Sequence, residues 1–131
     1  MSIPMICIGL LGLLCFLLGF GVSMQRRRTG TSLGASADPA DPLLKYVRAH
    51  GNTAEYAPII ALLIFVLAQS PQTTWVYAVM ILATASRYVF AAGMVLPASL
   101  ARPNIGRFLG ALGTYLFGTT LAVTVLAQAL A

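Results

Sequence analysis

Apolar residues fall along the chain in four long blocks separated by short polar stretches, and each block is close to the roughly 20 residues that a helix needs to cross a bilayer. The first covers about residues 3–24, from Ile3 to Met24, without a charge, and Arg26, Arg27 and Arg28 follow at once. A secretory signal carries its positive charges ahead of the apolar run, so this block reads as a retained span. Residues 25–41 are rich in Gly, Ser, Ala, Asp and Pro, a turn composition that buries no core. Asp41-Pro42 is a helix start, with a carboxylate cap and proline at the first position, and the second block runs over 42–69. At about 42 Å it exceeds the hydrocarbon thickness, so its first turns should protrude.

Ser70 to Thr74 form an uncharged turn that predicts an antiparallel hairpin with the third block, 75–96. Pro97 to Pro103 return the chain, and Pro103 can open the fourth block, 103–130. The expected fold is an all-α integral membrane four-helix bundle, a single transmembrane domain over 1–131. Every short loop bearing Lys or Arg falls on one side and the uncharged turn on the other. By the positive-inside rule the 25–41 loop is cytoplasmic and both termini lie on the opposite side. Gly106 and Gly110 make a G-x-x-x-G, a spacing that admits close helix approach and also arises by chance in glycine-rich spans.

Composition agrees: 59% of the 131 residues are hydrophobic and 8% charged, against about 25% charged in soluble domains. The net charge of +5 sits beside or inside apolar segments instead of forming a polar basic stripe, which argues against nucleic acid. Cys7 and Cys15, about 12 Å apart along one helix, cannot bridge each other, and no His or Cys stands at metal-ligand spacing from them. They read as small packing residues, and no metal is expected.

The residues that lipid tolerates least carry the chemistry. Arg48, Asn52, Glu55 and Tyr56 occupy positions i, i+4, i+7 and i+8 of the second block, within an arc of about 120°. Such a polar face must look into the bundle or a wet cavity. Pro58 removes one backbone hydrogen bond beside Glu55. Glu55 and Arg87 lie equally far from the Ser70–Gln72 turn, about 22 Å, so they are expected to face one another across the hairpin. Arg48, Arg87 and Arg107 outnumber the single nearby acid, a surplus that an anionic ligand would relieve. His50 points well away from Arg48 and Asn52 in projection and reads as an interfacial residue.

The run from Arg48 to Pro58, Arg-Ala-His-Gly-Asn-Thr-Ala-Glu-Tyr-Ala-Pro, resembles the signature of the MAPEG family, the membrane-associated proteins in eicosanoid and glutathione metabolism, and looks most like its bacterial branch. The similarity extends from Arg26–Arg28 and Thr31–Gly34 to Arg87 with Gly93 and Arg107 with Gly110. It implies a homotrimer of four-helix protomers in the bacterial inner membrane. Glutathione would be the co-substrate, bound between adjacent subunits on the cytoplasmic side, with a lipophilic small molecule or lipid as the second partner. Arg48, Asn52, Glu55, Tyr56 and Arg87 match the positions that hold the tripeptide, Arg27 is the candidate from the first arginine run, and Arg107 matches the arginine assigned to thiol activation. Phe90, Met94, Phe108 and Ala111 depart from the tyrosines, histidine and serine of various relatives. The reading is a glutathione transferase or peroxidase acting on lipophilic electrophiles. The alternatives are a non-catalytic binding or structural protein of the same fold, or a small exporter, whose cationic substrates the arginine excess disfavours.

Overall fold

The computed structural model describes residues 2–131, and every element in that range is helical: α1 (Ile3–Thr29), α2 (Pro42–Leu67), α3 (Thr74–Val95) and α4 (Ile105–Leu130). All four are long and apolar enough to cross a membrane. A helix satisfies its backbone within its own segment, which is why hydrocarbon admits it. Phe16, Leu62, Leu116 and Val123 are each more than half exposed, so the outer surface is one that lipid solvates and water does not.

The ends differ from the sequence expectation for local reasons. α1 runs past Met24 and takes Arg26, Arg27 and Arg28 into its last turn, where cations oppose the negative end of the helix dipole. Gly30, at φ 67°, ends it in a left-handed conformation, and the Thr31 N–H returns to the Arg26 carbonyl at 3.2 Å. α2 begins where expected, with Asp41 accepting from the Leu43 N–H at 2.9 Å, and continues through Pro58. It stops two residues short of Gln69 because the Gln72 side chain reaches back to the Leu67 carbonyl at 2.7 Å. α4 starts at Ile105 and not at Pro103, since Asn104 is the residue whose side chain caps it.

α1 packs on α2 and α4 on α3, while α2 and α3 form the central pair; α1 and α4 lie on opposite sides of that pair and do not touch. One buried cluster joins Cys7 and Leu11 of α1, Ile60 and Ile64 of α2, Met80 of α3 and Leu121 of α4. A second gathers Leu14, Leu18, Ala49, Ala91 and Met94. The loops following α1 and α3 meet at one end of the bundle. There Leu100 N–H donates to the Pro39 carbonyl at 2.9 Å, Lys45 Nζ donates to the Pro97 carbonyl at 2.9 Å, and Arg26 Nη1 donates to the Ser32 and Gly34 carbonyls at 3.0 and 3.1 Å. The uncharged turn closes the other end, tied to α4 by Gln128 Nε2 donating to Gln72 Oε1 at 2.8 Å.

α3 and α4 approach along glycines. A Cβ at Gly93 would strike the Arg107 backbone nitrogen, one at Gly106 would come within 3.2 Å of Gly93 Cα, and one at Gly110 would strike the backbone of Phe90. The Gly106–Gly110 spacing is therefore a packing seam. Because the obstacles at Gly110 are backbone atoms, Gly110→Ala is expected to destabilise the protein by about 1–3 kcal/mol. Gly118→Ala, where nothing lies within 4 Å, is expected to stay within about 0.5 kcal/mol of the wild type. Reversible unfolding in mixed micelles measures both.

Candidate functional site

One face of α2 presents Leu44, Val47, Arg48, Gly51, Asn52 and Glu55, spaced by three and four residues so that they stack on one side. This face forms one wall of a cleft of about 970 Å³. The opposite wall comes from α4 through Arg107, Phe108 and Ala111, the floor from Phe90 and Met94 of α3, and the rim from Pro39 and the 100–104 loop. The cleft thus opens toward the end of the bundle where the two basic loops meet. Of the residues proposed from sequence, Arg48, Asn52, Glu55 and Arg107 line it together.

Arg48 and Glu55 are exposed at its opening, while Asn52 and Arg107 are half-buried. Arg107 is held twice. Its backbone N–H donates to Asn104 Oδ1 at 2.9 Å, and its Nη1 donates to the Leu100 carbonyl at 3.1 Å on the rim loop. Asn104 also donates through Nδ2 to the Gly93 carbonyl at 2.9 Å. One amide therefore caps α4 and binds it to the end of α3, which fixes where Arg107 begins. Sequence reasoning passed over Asn104, although an Asn just ahead of an apolar run is an N-cap signal. Its second bond has no sequence signal.

Arg87 is 1% exposed and does not meet Glu55. Its Nη2 donates to Asn52 Oδ1 at 2.7 Å and its Nη1 to Thr114 Oγ1 at 3.1 Å, while the guanidinium carbon lies 5.4 Å from the Tyr56 ring centroid and 5.0 Å from that of Phe90. Equal distance from a turn sets depth but not azimuth, so the expected ion pair gives way to an amide, hydroxyls and aromatic faces. Asn52 thereby couples the buried cation to the wall of the cleft. Nε of Arg87 is the buried side-chain polar atom without a partner among the described residues. Its charge, added to those of Arg48 and Arg107, sets three guanidiniums in or behind the cleft against the one carboxylate of Glu55.

Tyr56 stands beside the cleft, not in its wall. Its ring meets Tyr115 of α4 edge-on, with centroids 5.8 Å apart, and its hydroxyl lies 3.4 Å from that of Tyr115. Arg27 is exposed at the end of α1, outside the cleft wall of the single chain, whereas Arg26 folds onto the loop that follows. His50 packs against Gly19 of α1, away from the cleft. The four residues noted as departures, Phe90, Met94, Phe108 and Ala111, all lie in the wall and make it apolar around Arg107.

Such a site suits an elongated anion that also carries a cationic group, because guanidinium forks bind carboxylates and a lone carboxylate binds an ammonium. The family model described as the MAPEG family matches residues 4–127. Searches of curated proteins and of solved structures find no match.

Replacing Asn104 separates its two bonds. Asn104→Ala removes both and is expected to cost about 1–3 kcal/mol, a lost cap plus a lost interhelical hydrogen bond. Asn104→Asp keeps the cap, loses the donor to Gly93 and should fall between alanine and wild type in the same unfolding measurement.

Proposed function

The chain belongs to the MAPEG family, and from that premise we propose that its cleft binds glutathione and that the protein is a glutathione transferase or peroxidase acting on lipophilic electrophiles. The observation that carries the reading is the convergence of Arg48, Arg107, Asn52 and Glu55 on one cleft, with Arg87 behind it. Glutathione has two carboxylates and one amine. Arg48 offers a fork to a carboxylate, Glu55 offers a carboxylate to the amine, and Asn52, already bonded to Arg87, conveys that buried charge to the ligand. Arg107 supplies a cation for the sulfur, which favours thiolate over thiol, and the thiolate is the nucleophile.

Tyr56 shields the Arg87 charge from the lipid side through its ring face. In a homotrimer with glutathione held between adjacent subunits, Arg27 reaches the tripeptide from a neighbouring copy. The same reading puts the basic end of the bundle in the cytoplasm of a bacterial inner membrane. The lipophilic partner enters from the bilayer over the apolar wall.

That apolar wall favours a second reading. Phe90, Met94, Phe108 and Ala111 bring no hydroxyl or imidazole to the surroundings of Arg107, so proton transfer there has no side-chain helper, which fits a protein that binds glutathione without turnover.

Isothermal titration of glutathione into detergent-purified protein tests the site. Saturable binding is expected in the wild type, weakened about tenfold or more in Arg48→Ala and in Glu55→Gln, the scale of a charge-assisted hydrogen bond. Absence of heat in folded wild-type protein overturns the glutathione reading. Conjugation of an aryl halide then separates the two readings. A transferase loses about 100-fold or more in kcat in Arg107→Ala with glutathione binding largely kept, whereas a binder shows heat and no conjugation in the wild type.

A further inference from the structure

The basic end of the bundle carries charges that the cleft does not use. Arg26, Lys45 and Arg107 donate there to backbone carbonyls, and Arg27 and Arg48 belong to the glutathione reading above. Arg28 and Arg102 are exposed and have neither use. The whole chain has three acids to set against them, Asp38, Asp41 and Glu55. Asp41 caps α2, Asp38 accepts from the Ala40 N–H at 2.9 Å and closes its own turn, and Glu55 lines the cleft. No carboxylate is left over for either arginine.

Apolar side chains stand at the same level. Leu33 of the 30–41 loop is 88% exposed, and Leu96 and Ile105, which flank the loop after α3, are 80% and 70% exposed. The uncharged stretch of α1 from Ile3 to Met24 is about 33 Å long, enough to fill the hydrocarbon, which sets Arg26 and Arg28 among the headgroups. Arg26 Nη1 then gathers the carbonyls of Thr31, Ser32 and Gly34 at 3.4, 3.0 and 3.1 Å. The loop is thereby drawn back to within reach of one arginine side chain, so Leu33 does not stand off in water. Gly30 and Gly34, at φ 67° and 71°, supply the two bends, and Leu33 between the clamped carbonyls is left facing outward. On the other side of the bundle α3 also spans about 33 Å, which puts Leu96 at the same boundary.

We propose that this end of the protein docks on anionic phospholipids of the leaflet it crosses, with Arg28 and Arg102 binding headgroup phosphates and Leu33, Leu96 and Ile105 entering the acyl boundary beneath them. Charge above and apolar side chain below is the order that a leaflet itself presents. An anionic leaflet supplies the counter-charge that the chain withholds, worth about fivefold in affinity for each arginine near the surface. A second copy of the chain would bring its own basic end to the same level, and like charge disfavours it as the occupant. The two loops also meet through the Leu100–Pro39 hydrogen bond and form the cleft rim, so a leaflet that holds them steadies the rim. None of the docking residues lines the cleft, and the proposal stands independently of the glutathione reading.

Two measurements on the full-length protein in vesicles test the surface. Spin-labelled phosphatidylglycerol is expected to associate about two- to fivefold more strongly than spin-labelled phosphatidylcholine, less so at high salt. Combining Arg28→Gln with Arg102→Gln should remove most of that preference, each single variant falling between, with the helical circular dichroism of the wild type retained. Depth is read by fluorescence in a Trp75→Phe background, which removes the only tryptophan. Lipid brominated high on its acyl chains is expected to quench Leu33→Trp at least twofold more strongly than Ala35→Trp, an exposed position in the same loop. No anionic preference in folded wild type, a preference unchanged in the double variant, or equal bromolipid quenching at the two positions overturns the proposal. A tryptophan at position 33 shielded from bromolipid and from aqueous acrylamide alike also overturns it and makes a second copy the occupant.

Discussion

The approach of α3 to α4 along Gly93, Gly106 and Gly110 is the constraint on which the site depends. Without side chains between them the two backbones come near enough for Asn104 to span from the cap of α4 to the Gly93 carbonyl and for Thr114 to reach Arg87. In lipid, no hydrophobic effect drives helices together, so close packing and interhelical hydrogen bonds must do so, and small residues allow both. The same contact sets the height of Arg107 in the cleft, because Arg107 sits one residue past the Gly93–Gly106 crossing.

Arg87 presents a second physical problem, a cation sealed inside a membrane bundle with no carboxylate bonded to it. The chain distributes the charge over the Asn52 amide, hydroxyls and two aromatic faces. Delocalised guanidinium tolerates such a diffuse shell better than a compact ammonium would. Keeping Glu55 out of that shell has a consequence for function. An internal ion pair would neutralise both groups, whereas here the carboxylate remains exposed at the cleft and the positive potential behind Asn52 remains uncancelled. The bundle is thus left electrostatically incomplete in the way that a zwitterionic anion would complete it.

α4 carries a polar surface at one end and an apolar one in its middle. Its first turns carry Arg107 and face the cleft, and its middle turns carry Tyr115 and face lipid. A helix that crosses the bilayer while lining a polar cleft at one end thus sets a charged and an apolar surface at neighbouring positions.

Four spanning helices, the grouping of the basic loops and the polar face of α2 were legible in the chain itself, because they depend on hydropathy, turn residues and a 3.6-residue period, all of them local. The Asp41-Pro42 start of α2 was readable for the same reason. Helix ends were legible only to within a few residues. α1 absorbed its arginines because nothing before Gly30 breaks it, and α4 waited for the Asn104 cap. What tertiary structure alone decided were the pairings. Sequence distance from the turn set the depth of Arg87 but could not say that it faces Asn52 in place of Glu55, since azimuth follows from how two helices rotate against each other. Nor could it show that Tyr56 meets Tyr115, fifty-nine residues away, because that contact exists only once the close packing of α4 on α3 has turned one face of α4 toward α2.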